Sequence, residues 1–334
     1  MSSEQIDVTA IGNAIVDVIA QTPEAFVEKK GLVKGSMNLV DRDQAETLYD
    51  EMPPATESGG GSAANTMAGF ASLGGVGAFI GKVRDDQLGE VFGHDIRAAG
   101  IRFRTPAATA GPPTARSMIL VTPDAQRTMS TYLGACVNLT QDDVDEELIV
   151  RSQVVYLEGY LWDPPEAKKA FLKAAEIAHA RKRRVSLTLS DTFCVDRHRQ
   201  EFLELVRHHV DILFANENEL KSLFETRDFD EAVRALNGQV ELAALTRSEK
   251  GAVILDGPDS HDVNIVRYKG VVDTTGAGDL FASGFLYGAT HGMDPVISAR
   301  LGALCASEVI SHVGARPCVS LHALARERLG LHLD

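Results

Sequence analysis

Apolar residues recur along this chain in two periods, and the two alternate. Short runs rich in β-branched residues predict strands at 6–12, 77–83, 154–160, 184–190, 210–216, 242–247 and 252–256. Between them, apolar positions spaced three and four apart predict amphipathic helices at 62–73, 87–99, 164–181, 196–208 and 217–224. Strands that are apolar throughout, each followed by a helix, predict an α/β fold with a mostly parallel sheet covered by helices on its faces. The last stretch, 277–330, reads as helices with short breaks. Two regions break the rhythm. The first is 15–40, with IVDVIAQT and then SMNLVD. The second is 104–133, where two alternating runs flank a PDAQ turn and predict a hairpin. Such strands do not insert easily into a parallel sheet. They are expected to form a small β-sheet lid over one domain spanning residues 1–334.

Composition narrows the class without changing this picture. The chain has 334 residues, 44% hydrophobic and 24% charged, which suits a globular protein with a large core. Its formal net charge of −14 opposes generic binding to nucleic acid or to an anionic membrane. A nucleotide needs only a local positive site and stays allowed. Four cysteines without a CxxC pair argue against a zinc knuckle or a redox motif. The N-terminus carries no basic, apolar leader pattern and no run long enough to span a bilayer, so a cytoplasmic protein is expected.

The candidate chemistry begins at DTTGAGDLFASGFLYG, 273–288. Helix starts carry unpaired N–H groups and a partial positive charge, which suits an anion. Gly276, Ala277 and Gly278 would supply those N–H groups, and Asp279 beside them is placed to take a proton from an attacking hydroxyl. The plainer reading is a capped helix. GGGSAAN, 59–65, offers a close-approach platform with Gly60, Gly61 and Asn65; a tight turn with an N-cap, or a dinucleotide fingerprint, are the alternatives. Asn13 and Asp17 flank an apolar turn after the first strand, and a carboxylate there can accept two hydrogen bonds from a vicinal diol. NENE, 216–219, follows a strand at its carboxyl end, where α/β folds bind ligands; a helix start capped by Asn216 explains it equally. Tyr160, Trp162 and Phe193 also follow strands and could stack on a flat ring, or simply pack. Leu133 and Ala135, at the end of the hairpin, are expected to form the opposite wall, with Met37 as a further candidate. Arg116 in the hairpin could reach a transferred phosphate.

These motifs together resemble the PfkB (ribokinase-like) carbohydrate and nucleoside kinases, and the resemblance runs from GNAIVD to the final helices. It implies a ribokinase-like fold. It also implies that Asp279 is the catalytic base and that 276–278 form the anion hole. Gly60, Gly61 and Asn65 would grip sugar hydroxyls. The GNxxxD spacing of Asn13 and Asp17 is similar to the adenosine kinase branch, where the carboxylate binds ribose. By the same resemblance, Asn216 and Glu219 organise Mg²⁺ through water. TRSEKGA, 246–252, is similar to the nucleotide-binding T-x-G-x-x-G, with Thr246 and Gly251 as ATP contacts and Ser248 where a glycine is usual. Asp273 and Thr275, with carbonyls from 309–318, could hold a monovalent cation such as K⁺. Tyr160 and Phe193 would hold a purine. The expected reaction is ATP-dependent phosphorylation of a primary hydroxyl, the 5′-OH of adenosine first. A sugar kinase acting on ribose or a keto-acid sugar, a guanosine or inosine kinase, and a non-catalytic nucleotide-binding protein stand as alternatives. Monomer and homodimer are both open.

Overall fold

The computed structural model describes residues 5–124 and 126–333. Nine strands form the large sheet, in the order Asp259–Val263, Ala252–Asp256, Leu242–Thr246, Ile212–Asn216, Arg184–Thr188, Ser152–Glu158, Ile6–Ile11, Gly77–Ile80 and Arg102–Phe103. All neighbours run parallel except Ala252–Asp256, which is antiparallel to both of its partners. The seven expected strands are all present, with ends that shift by up to three residues.

Alternation along the strands feeds two cores. Val154 and Tyr156 face one side, with Ile212, Phe214 and Ala244. Val155 and Leu157 face the other, with Leu213, Ala215, Ala243 and Leu245. The first core is closed by the helices Ser62–Ser72, Gln87–Ala98, Ala277–Thr290, Pro295–Val309 and Leu321–Leu329. The second is closed by Pro165–Ala180, Thr192–His208, Glu217–Leu223 and Phe229–Leu236. A strand buried on both faces has no polar alternation, which is why these segments read as continuous apolar runs.

A second, five-stranded sheet has the order Met37–Leu39, Arg127–Tyr132, Ala115–Val121, Ile15–Gln21 and Thr56–Gly60. The 115–121 and 127–132 strands form the expected hairpin. Ile15–Gln21 pairs parallel with Ala115–Val121 and antiparallel with Thr56–Gly60. The first excursion therefore extends to Gly60, beyond the expected 15–40, because the glycine run forms an edge strand before it turns into a helix. One face of this sheet packs Ala20, Met118 and Leu120 against Val27 and against Ala45 and Leu48 of the helix Arg42–Glu51. The other face carries Asp17, Ser117, Ile119, Met129 and Thr131 into a cleft. That cleft has a volume of about 1180 Å³ and lies at the carboxyl ends of the parallel strands. No helix among the described residues is long and apolar enough to cross a membrane.

Candidate active site

The helix Ala277–Thr290 starts at Gly276, which sits at φ +79°. A side chain there would suffer the left-handed backbone, and its Cβ would lie 2.9 Å from the Ala315 backbone. The first helical turn closes when the Leu280 N–H donates to the Gly276 carbonyl, 2.8 Å away. The Gly278 and Asp279 N–H groups precede it and have no intrahelical acceptor. The Ala277 N–H, expected to join them, donates to the Thr274 carbonyl at 3.3 Å. Gly278 is exposed, and a Cβ on it would meet nothing, so the cleft side of this turn is open to a ligand.

Asp279 stands on the same turn and lines the cleft. Its Oδ1 accepts from the Ser62 hydroxyl at 2.7 Å, and its Oδ2 from Asn65 Nδ2 at 3.5 Å. Burial pushes its carboxyl up to about 6, against the pull of those two donors. Asn65 is itself held from behind, where Arg316 Nε donates to its Oδ1 at 3.3 Å.

Asp17 enters from the small sheet and lines the same cleft. Its carboxyl is also raised to about 6. Burial is the main cause, with Asp279 adding to it and Arg316 and Arg127 opposing. Gly60 lies directly beneath: a Cβ there would fall 2.5 Å from the Asp17 carboxyl. Gly60 thus makes room for Asp17 rather than lining the cleft, which Gly61 does. Asn13 Nδ2 donates to Glu158 Oε1 at 2.7 Å, and Glu158 Oε2 accepts from the Ala63 N–H at 2.8 Å. Glu158, fully buried and raised to about 7 by that burial, ties the first strand's end to the start of the helix Ser62–Ser72. Ser62 and Glu158 were not singled out from the sequence. Each acts through a partner more than 90 residues away, which no local pattern encodes.

The small sheet lays its side chains across the cleft in rows. Asp17, Ser117 and Thr131 are in register, and Ser117 Oγ lies 2.8 Å from Thr131 Oγ1. Ile119, Met129 and Met37 form the next, apolar row. Tyr160, Phe193 and Leu133 line the cleft as expected, and Phe193 is 72% exposed. The Tyr160 N–H donates to Ser190 Oγ at 3.1 Å. Two expectations are corrected, for Ala135 and Arg116, and Trp162 takes the plainer of its two readings. Ala135 is fully buried in the turn Gly134–Asn138 and does not reach the cleft. Trp162 packs between Phe171 and Phe202, its Nε1 donating to Glu201 at 2.5 Å. Arg116 points to the helix-covered face, its guanidinium 4.9 Å from the Tyr49 ring. The hairpin arginine that does reach the Asp273–Gly276 loop is Arg127.

At the far end of the cleft lie Asn216, Glu219, Thr246, Ser248 and Gly251. Asn216 caps the helix Glu217–Leu223: its Oδ1 accepts from the Asn218 and Glu219 N–H groups, and Glu219 Oε2 accepts from the Asn216 N–H at 2.9 Å. Burial raises the Glu219 carboxyl to about 7. Among the described residues, no group of three or more His, Cys, Asp or Glu could hold a metal ion. Two capping residues fit only a Mg²⁺ that arrives on a triphosphate and meets the protein through water. Ser248 sits at φ +51° and Gly251 at φ +87°, so the serine adopts the left-handed backbone that a glycine takes freely.

Residues 7–321 match the profile of the pfkB family carbohydrate kinases. The chain belongs to this family. It is a phosphotransferase that acts on an alcohol group, and a kinase uses ATP. Adenosine kinase from Sinorhizobium meliloti is 54% identical, with a TM-score of 0.90 over 97% of this chain and 99% of that one. A probable sugar kinase protein from Rhizobium etli CFN 42 is 52% identical, also with a TM-score of 0.90, over 97% of this chain and 98% of that one. Adenosine kinase from Saccharomyces cerevisiae is 27% identical over 328 residues, covering 91% of this chain and 94% of the yeast protein.

Proposed function

We propose that this kinase transfers the γ-phosphoryl group of ATP to the 5′-hydroxyl of a nucleoside, adenosine first, to give AMP and ADP. The observation that carries this reading is the convergence in one cleft of Asp279 at a helix start, Asp17 on the small sheet, and an apolar row beside it. Asp17 and Asn13 would hold the ribose diol, with Gly61 and Asn65 beside them. Tyr160, Phe193, Leu133 and the row Ile119, Met129 and Met37 would hold the flat purine, which gains from stacking as well as burial. High identity to an adenosine kinase supports the same choice.

Asp279 would take the proton from the 5′-hydroxyl as that oxygen bonds to the γ-phosphorus and the bridging bond to ADP breaks. With a carboxyl near 6, about nine-tenths is ionised at pH 7, which keeps the base both available and basic enough to act. The open N–H groups of the helix start would hold the charge on the transferring group. Asn216, Glu219, Thr246, Ser248 and Gly251 would face the nucleotide. Mg²⁺, arriving with ATP, supplies charge neutralisation of the phosphates. The small sheet acts as a lid that excludes water, which would otherwise accept the phosphoryl group.

ADP formation from Mg-ATP against adenosine, inosine, guanosine, ribose, fructose and 2-keto-3-deoxygluconate tests the reading. Saturable turnover on adenosine with little on ribose is expected. Turnover on a free sugar alone would refute the nucleoside reading and favour a sugar kinase, which the similarity to the Rhizobium etli protein keeps as the second reading. Asp279→Ala should lower kcat by roughly 10²–10⁴-fold with a small change in nucleoside affinity. A loss confined to binding would remove Asp279 as the base.

A further inference from the structure

A side chain of the small sheet enters the loop that leads into the helix Ala277–Thr290. Arg127 opens the strand Arg127–Tyr132. Its Nη1 lies 3.1 Å from Asp273 Oδ2 and 3.2 Å from Thr275 Oγ1. The pair is buried, with side chains 7% and 9% exposed.

The rest of the Asp273 carboxylate is also taken. Its Oδ1 accepts from the Thr275 N–H at 3.1 Å and from the Thr275 hydroxyl at 2.7 Å. Its Oδ2 accepts from the Gly314 N–H at 3.1 Å. An ionised carboxylate offers about four acceptor positions; three hydrogen bonds take three of them here, and the Arg127 guanidinium pairs with Oδ2 by charge. The charge of Asp273 is matched by the Arg127 guanidinium. Asp273 and Thr275 are the residues that the family resemblance offers to a monovalent cation. As arranged here they do not fit one: the carboxylate is engaged by three hydrogen bonds and already neutralised by the buried guanidinium.

We infer that Arg127 is the resident cation of the phosphate-binding loop, so that this chain works without a monovalent metal ion and comes to need one when Arg127 is removed. The inference rests on the kinase reading for its functional part. Asp273 stands three residues before the Gly276 helix cap, and Gly314 adjoins Ala315, whose backbone packs on Gly276. An unmatched carboxylate at this place would oppose the approach of phosphates and loosen both loops. The guanidinium cancels that charge. Because it comes from the small sheet, it also ties that sheet to the loop. Arg127 is a positioning residue in this account, acting through Asp273.

The test uses the full chain, freed of potassium, at constant ionic strength set with tetramethylammonium, sodium or potassium chloride. Nucleoside phosphorylation and the thermal unfolding midpoint are both read. Wild-type turnover is expected to agree within about twofold across the three salts, because a filled site gives a cation nothing to bind. Arg127→Ala leaves a buried carboxylate without its partner, so turnover in tetramethylammonium should fall at least about tenfold. Potassium should restore a large part of it and raise the midpoint of that variant alone. Arg127→Lys should keep more turnover and show little response to potassium. Wild-type turnover stimulated several-fold by potassium would overturn the inference. So would an Arg127→Ala variant whose turnover and midpoint ignore potassium as the wild type does. Should Arg127→Ala fail to fold, the wild-type salt series and Arg127→Lys decide the matter. If no acceptor is phosphorylated at all, the kinase reading fails, and the midpoint series still decides whether the Asp273 site takes a cation.

Discussion

Two carboxylates that the proposed reaction needs ionised, for different reasons, share one cleft, and this should appear in the pH dependence of kcat/KM for the nucleoside. In the proposed reaction Asp279 accepts a proton, and Asp17 accepts hydrogen bonds from the ribose. Both are raised to about 6, each mainly by burial. The charge of Asp279 also raises Asp17, so the two apparent constants belong to the pair. With two groups near 6, the doubly ionised fraction falls about 100-fold between pH 8 and pH 5, against about tenfold for one group. The logarithmic plot should therefore approach a slope of two on its acid side. The assay is initial-rate ADP formation at saturating Mg-ATP, so that protonation of free nucleotide does not enter. Asp17→Asn should reduce the slope to one, at a lower ceiling, while leaving the ionisation of Asp279. Asp279→Asn should lower the Asp17 constant, which can be followed by the pH dependence of nucleoside binding. A wild-type profile flat to pH 5 would refute the reasoning, as would a slope of two that survives in Asp17→Asn.

Three further outcomes are expected. Ser62→Ala removes a hydrogen bond to ionised Asp279 and should move the acid limb of kcat upward by about one unit, with little change at pH 8; an unmoved limb would show that Ser62 does not tune the base. Gly276→Ala should cost about 1–2 kcal/mol of stability from the left-handed backbone alone, read by urea unfolding, and the crowding against Ala315 should lower kcat as well. Glu158 has a folded-state constant near 7, above the usual 4.5, so the folded state holds the extra proton between those values. Its contribution to stability is present below about pH 4.5 and is lost as pH rises through 7. The substrate-free protein should accordingly unfold at a lower temperature at pH 8 than at pH 6, and Glu158→Gln should flatten that fall.

The large sheet was legible because its strands are buried on both faces and separated by helices with clear amphipathic spacing. The small sheet was harder. Its alternation was visible in ARSMILV, but the pattern does not say which face meets the cleft. Arg116 is for that reason only a candidate for phosphate in the sequence, and in the fold it shares the covered face with Met118 and Leu120. Thr56–Gly60 escaped notice because a strand of threonine, glutamate, serine and two glycines carries no β signal of its own; pairing with Ile15–Gln21 creates it. The glycine turn, Asp279 and Asp17 were readable because each sits in a local motif. Glu158, Ser62, Arg127 and Arg316 act across 95 to 251 residues of separation. Trp162 stays ambiguous in the sequence because position at a strand's end does not fix the direction of a ring.

The pairing of Ile15–Gln21 with Ala115–Val121 bears on how the chain reaches its native state during synthesis. The antiparallel partner, Thr56–Gly60, emerges soon after the first strand, but the parallel partner comes about a hundred residues later. Until then, one edge of Ile15–Gln21 has unpaired backbone groups and the apolar side chains of Val16, Val18 and Ala20 beside it. The nascent chain thus carries an edge that favours self-association over a long stretch of translation. Variants that slow release of the 115–132 hairpin should reduce the yield of folded protein, even when the folded protein is as stable as before.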